Sequence, residues 1–322
     1  MTESAQCIKN FPVTLFTSAM GTGGLAIAYQ RYAEISALPA ILGIVLLLLA
    51  YGCFITVASV YAYKLMKYRE AVLSEFNHPV QANFFPAISI GLLLLAVGTN
   101  GFDTTIATGL WTIGAGTQLL FTIRIVSRWL FQSYEIPHAN PAWFIPVVGN
   151  IIVPILGVDL GHKEISWFFF SIGLSFWMLV FPIIMYRLIF HQQVAEKLMP
   201  TLFIMIAPPA VAFISYMKLD GHFDTFSRAL LYLGVFLFIL LFSMLSHFWR
   251  IRFFVSWWAY TFPLCALTIA LIFAFKSTGY YIFFEMATVL LLLSFIAVAT
   301  VLLRTMNAVR CKTLCLPEKQ AG

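Results

Sequence analysis

Long apolar runs separated by short polar punctuation fill the chain from about residue 12 to about residue 303. A helix that crosses a bilayer needs roughly 20 mostly apolar residues. Ten runs meet that length to within a few residues: 12–30, 39–63, 84–102, 105–123, 143–159, 165–186, 201–217, 229–247, 253–275 and 280–303. The stretches between them are too short for a soluble domain, so the pattern predicts a single all-α membrane domain over 1–322. The first ten residues are polar and no small-residue cleavage site follows the first run, so no cleavable signal peptide is expected.

Helix breakers fall in alternate runs. Pro86 stands in the third, Pro146, Gly149 and Pro154 in the fifth, Pro208 and Pro209 in the seventh, and Pro263 in the ninth. The first run carries Gly21, Gly23 and Gly24 instead. The even runs are cleaner, with Pro182 the exception. A recurrence of about 60 residues predicts five repeated helical hairpins. The broken odd-numbered helices would form an inner ring around a central pore, with the continuous ones against lipid. Proline inside a helix removes an N–H and clashes with the preceding turn. At membrane depth such a break is tolerated where it packs on protein or lines a water-filled cavity. Phe262, next to Pro263 in the uncharged run 253–275, is therefore a candidate for pointing into a pore. The competing reading is ordinary packing, since Gly and Pro are common in membrane helices and the chain holds 32 phenylalanines.

Composition agrees with the pattern: 61% of residues are hydrophobic and 10% charged, against about 25% charged in a soluble protein. Of the nineteen Lys and Arg, only Arg31, Lys163, Lys218, Arg228 and Lys276 fall on one side of a ten-span topology. The positive-inside rule then places both termini in the cytoplasm, at a plasma or bacterial inner membrane. The net charge of +6 reads as topology and headgroup contact, not nucleic-acid binding.

No Asp, Glu, Lys or Arg lies centrally in any run. That weighs against a proton- or sodium-coupled carrier, and no Walker A loop suggests a primary pump. A neutral pore can still pass anions through helix N-terminal dipoles and hydroxyls or amides such as Thr14, Thr17, Ser18, Thr22, Thr261 and Asn150. Weak binding at several sites is what fast flow needs. The five cysteines, Cys7, Cys53, Cys265, Cys311 and Cys315, show no disulfide framework, and the tail pair Cys311 and Cys315 lacks further metal ligands. The six histidines are scattered. Neither a metal nor a cofactor is expected, and the chain does not read as an enzyme. The leading function is a gated channel for small monovalent anions such as chloride or nitrate. The alternative is a secondary carrier for dicarboxylates or tellurite-type oxyanions.

Several motifs carry a family resemblance over essentially the whole chain. Ser256-Trp257-Trp258-Ala259-Tyr260-Thr261-Phe262-Pro263 resembles the ninth helix of plant slow-type anion channels, and Asn140-Pro141-Ala142-Trp143-Phe144-Ile145-Pro146-Val147-Val148-Gly149-Asn150 resembles their fifth. His78-Pro79-Val80-Gln81-Ala82-Asn83-Phe84-Phe85 is similar to the start of the third, and Phe11-Pro12 with Met20-Gly21-Thr22-Gly23-Gly24 to the first. The family also includes the bacterial tellurite-resistance protein TehA and fungal dicarboxylate carriers. The resemblance implies ten helices in five hairpins, a homotrimer with one pore per subunit, and occlusion of the pore by Phe262. It also implies a brace from Phe84 or Phe85. The short termini set aside the tail phosphorylation of the plant members.

Overall fold

The computed structural model describes residues 3–248 and 250–311. Ten helices of thirteen residues or more run along the described chain: α1 (Thr17–Ala33), α2 (Ile41–Lys67), α3 (Ala87–Thr99), α4 (Thr104–Phe131), α5 (Phe144–Gly157), α6 (Lys163–Phe190), α7 (Ala207–Leu219), α8 (Thr225–Ser243), α9 (Thr261–Thr278) and α10 (Tyr281–Arg310). Counting the tight turns that lead into them, eight helices are long and apolar enough to cross a membrane. α1 with its entry turn, 13–33, is long enough but is not among the eight, and α5 with its turn, Pro141–Gly157, is too short. The sequence pattern expects ten full-length apolar runs, and these two do not meet that expectation. Both are buried almost end to end, so neighbouring helices rather than lipid surround them and a full apolar length is not required of them.

Burial divides the helices by parity. The most apolar windows of α2, α4, α6, α8 and α10 are only 28% to 33% buried. Their outward faces carry large apolar side chains such as Leu48, Leu120, Met178, Phe236 and Leu292. By contrast the segments Gln81–Thr99, Glu196–Leu219 and Val255–Thr278 are 89%, 83% and 78% buried. α1 packs on α2, α3 on α4, α5 on α6, α7 on α8 and α9 on α10. The buried members also touch one another: α1 meets α3, α3 meets α5, α5 meets α7, α7 meets α9, and α9 meets α1.

Each buried helix is entered through a 3-10 segment: Val13–Phe16, Gln81–Phe84, Pro141–Trp143, Glu196–Ile206 and Val255–Tyr260. The break in each of these segments therefore lies at the start of the α-helix. Pro146 and Pro263 are the third residues of α5 and α9, Pro208 and Pro209 lie in the first turn of α7, and Pro86 caps α3. In a first turn the absent N–H leaves no α-helical bond unmade. The interruption is a change of helix type, and only Pro154 and Pro182 lie well inside a long helix.

Ends and turns follow ordinary capping chemistry. Asp103 accepts from the Ile106 N–H at 2.9 Å to start α4, and Asp224 from the Ser227 N–H at 2.8 Å to start α8. Gly221 (φ 81°) and Gly279 (φ 71°) close the turns after α7 and α9 in the left-handed region. Cys7 is disulfide-bonded, which corrects the expectation of unbridged cysteines. Spacing along a chain does not report which distant segments the fold brings together. Cys53, Cys265 and Cys311 are free, and Cys315 lies outside the described residues.

Candidate functional site

Two narrow cavities meet at Phe262. The first has about 30 Å³ of free volume and is bounded by Thr14, Thr17, Met20, Phe84, Ile145, Ile204 and Phe262, among others. These residues stand at or near the change from 3-10 to α geometry that opens each of the five buried helices. The second has about 20 Å³ and is bounded by Ile27, Leu94, Val97, Ile155, Val211, Ile214, Phe262 and Ile269, with Arg31 at its margin. All five buried helices, or the 3-10 segments that lead into them, contribute to each. Volumes of this size hold one or two waters at most. The walls are almost wholly aliphatic or aromatic, and Phe262, 8% exposed, is the residue that borders both.

Beyond the first cavity the space widens to a vestibule of about 780 Å³. It shares Thr14, Phe84, Val255 and Ser256 with the cavity and carries Lys9, Lys64 and Lys197 alongside Glu70 and Glu75.

The glycines of α1 set where the Phe262 ring can lie. A methyl group at Gly24 would come within 3.1 Å of Cδ2 of Phe262 and of Cβ of Cys265. One at Gly21 would stand 2.2 Å from Oγ1 of Thr261. α1 and α9 can therefore approach only because these positions have no side chain. Gly23 faces Leu94 of α3 with more room, since a methyl group there would meet Cβ of Leu94 at an ordinary contact distance of 3.4 Å.

The SLAC1 family model, described as voltage-dependent anion channel, matches residues 10–306. This chain belongs to the SLAC1 family. S-type anion channel SLAH2 of Arabidopsis thaliana is 30% identical, over 82% of this chain and 53% of its own length. The uncharacterized transporter MJ0762 of Methanocaldococcus jannaschii is 26% identical over 94% and 96%. A tellurite resistance protein TehA homolog of Haemophilus influenzae is 26% identical over 80% and 79%. The chain spans about half the length of the plant relative.

The remaining sequence-marked positions of this SLAC1-family chain divide by location. Phe84 borders the cavity, whereas Phe85 turns away to pack edge-on against Tyr61, Phe76 and Phe121. Asn150 is fully buried and ties α5 to α4: its amide donates to Thr122 Oγ1 at 2.8 Å and to the Val147 carbonyl at 2.9 Å. Gln118 reaches the Pro146 carbonyl at 3.0 Å and accepts from Ser89 at 2.7 Å, in space that Gly149 leaves open. Asn150, Ser18, Thr22 and Thr261 border neither cavity, so of the expected hydroxyl and amide groups only Thr14 and Thr17 do, joined by Ser256. Pro263 borders the first cavity, while Pro86, Pro146, Pro154, Pro208 and Pro209 shape helices without reaching it.

Sequence reasoning missed two charged clusters. Near the vestibule Lys64 (3% exposed side chain) and Glu75 (8%) form a 2.6 Å ion pair. Glu75 also accepts from the Val13 N–H at 2.7 Å and the Tyr61 hydroxyl at 2.9 Å, which pins the 3-10 turn that opens α1. At the margin of the second cavity Arg31 donates to Glu34 at 2.7 Å, and Lys276 pairs with the other carboxylate oxygen. Burial pushes the Glu34 carboxyl up, but the Lys276 hydrogen bond and the Arg31 charge outweigh it and hold the group below its usual value.

Proposed function

We propose that this protein is a gated anion channel whose pore follows the axis of five inner helices and is closed by Phe262. In this reading residues 1–322 form one membrane domain of ten spans, paired as five hairpins. Both termini and the vestibule face the cytoplasm, and three copies assemble with one pore each. The observation that carries the reading is the position of Phe262 between two cavities, each walled by all five buried helices or the 3-10 segments that lead into them.

The chemistry supports anions over cations. The constriction holds no acidic side chain, and its polar lining on the vestibule side is hydroxyl. The five α-helices begin around the first cavity, so their N-terminal partial positive charges lie toward it. An apolar constriction blocks flow by excluding water until it widens. Chloride and nitrate are the substrates that fit this neutral path, and the plant relative is named an S-type anion channel.

The direct test is current across a planar bilayer or an oocyte membrane during anion replacement. Exchanging chloride for nitrate should shift the reversal potential, and exchanging sodium should not. Current that tracks the cation would sink the proposal. A carrier for oxyanions is the second reading, favoured by the relative named for tellurite resistance. It requires saturable flux that disappears when the pH gradient is collapsed.

Glu34 provides a pH-dependent check at the far mouth. Its negative charge sits between Arg31 and Lys276 and opposes anion approach. Glu34→Gln should raise anion current about two- to fivefold, the effect of removing ~0.5–1 kcal/mol of screened repulsion. Because the folded carboxyl ionises below its ordinary 4.5, it stays charged at neutral and mildly acidic pH. Wild-type current should therefore rise only as the pH on that side falls through the depressed value, and the Gln variant should show no such rise.

A further inference from the structure

Arg187 lies in the last turn of α6, away from the axial cavities. It is 5% exposed, and its Nε and Nη1 have no hydrogen-bond partner in the protein. A guanidinium does not discharge at any physiological pH. A buried, unpaired one is strongly unfavourable unless something else supplies the counter-charge.

The side chain borders a pocket of about 440 Å³ where the α4–α5 and α6–α7 connections meet. No carboxylate is among the lining residues. Asn140 is already committed: its Oδ1 accepts from the Ala142 N–H at 3.0 Å and its amide donates to the His138 carbonyl at 2.9 Å. Glu196 accepts from the Arg252 N–H at 3.3 Å instead. His191, Gln192 and Gln193 complete the polar wall, so the pocket offers a guanidinium, an imidazole and two amides to something anionic.

Consecutive residues link it to a second hollow. Tyr186 and Ala139 line a mostly apolar space of about 340 Å³ with Trp143, Pro182 and Ile183, which Glu135 also borders, while Arg187 and Asn140 line the polar pocket. Leu198 borders both the polar pocket and the vestibule, which puts the pair at the vestibule end of the bundle. α6 is one of the lipid-facing helices, so they lie on its perimeter.

We propose that Arg187 binds a phosphate group in this pocket through its guanidinium, with His191 as a second donor. Arginine, always charged and rich in N–H donors, is the side chain best suited to hold phosphate. The phosphate belongs either to a phospholipid headgroup, with an acyl chain in the adjoining hollow, or to free phosphate. The site is independent of the pore reading, because none of its residues borders an axial cavity.

The test uses purified wild type, Arg187→Gln and His191→Ala in detergent, with thermal unfolding and native mass spectrometry. One arm adds dihexanoyl phosphatidic acid and the other inorganic phosphate. The expected result is saturable stabilisation of the wild type with one ligand per chain. Arg187→Gln should weaken binding about tenfold or more and His191→Ala about threefold, since a tenfold change is 1.4 kcal/mol. Stabilisation by the lipid alone identifies a headgroup, and equal stabilisation by inorganic phosphate identifies the free ion. Without ligand, Arg187→Gln should be at least as stable as the wild type, because it removes an unpaired buried charge. Equal binding by the wild type and Arg187→Gln overturns the proposal, as does no binding by the wild type in either arm. So does an Arg187→Gln protein that fails to fold or changes its oligomeric state without ligand, since the guanidinium would then be paired within the protein or with a second copy.

Discussion

Phe262→Ala should raise anion current by about tenfold or more, because each ~1.4 kcal/mol removed from a barrier multiplies a rate tenfold. The ring is the common wall of two cavities with about 30 and 20 Å³ of free volume. Removing it joins them into one continuous space in which water and an anion can stand. Conductance per protein, normalised to surface expression, is the measurement. A well-expressed variant with unchanged current would exclude Phe262 as the barrier. Stability gives a second discriminator. A phenylalanine that fills a core costs about 3–5 kcal/mol when cut to alanine, and Phe144, 0% exposed in α5, should show that cost. Phe262 borders empty space on both sides, so its truncation should lower the unfolding midpoint clearly less than Phe144→Ala does.

Glu75→Ala should be the most destabilising change outside the pore axis. It leaves the buried Lys64 ammonium without its counter-ion and the Val13 N–H without an acceptor, and it frees the Tyr61 hydroxyl. Breaking a buried pair on one side costs about 3–5 kcal/mol. Lys64→Met in the same background should recover part of that loss, since no charge is then stranded. A double-mutant cycle on unfolding in detergent measures the coupling. A cost below about 1 kcal/mol for Glu75→Ala would mean that the pair does not hold the opening of α1 in place.

Much of this arrangement was legible in the sequence because hydrophobic length and breaker position are one-dimensional signals. The Gly21, Gly23 and Gly24 triplet and the prolines of alternate runs mark the five buried helices, and the Thr-Phe-Pro motif drew attention to Phe262, which borders both cavities. The form of the break was not legible. A proline in a first turn and one in mid-helix look alike until the start of the α-helix is known, and the preceding 3-10 segments shift that start. The aliphatic walls were not legible either. Ile27, Ile155, Val211 and Ile214 carry the same side-chain chemistry whether they face lipid, a packed core or a cavity. Lys64 and Arg187 read as positive-inside charges at helix ends, and only packing reveals that each is buried. Asn150 drew attention as a polar group at depth, and its partner Thr122 lies on a neighbouring helix that sequence spacing could not connect to it.

The order of helix contacts has a mechanical meaning. Each buried helix is followed by an exposed one that packs back against it, so the chain returns to the same end before starting the next buried helix. The five inner segments then all run in one direction. Carriers that work by alternating access commonly pair a unit with its upside-down copy, and rocking between the two exchanges inside for outside. Five units pointing the same way contain no inverted partner to exchange with. The architecture has a built-in front and back, and the gate proposed at Phe262 is of the kind that opens by the swing of a side chain and needs no tilting half.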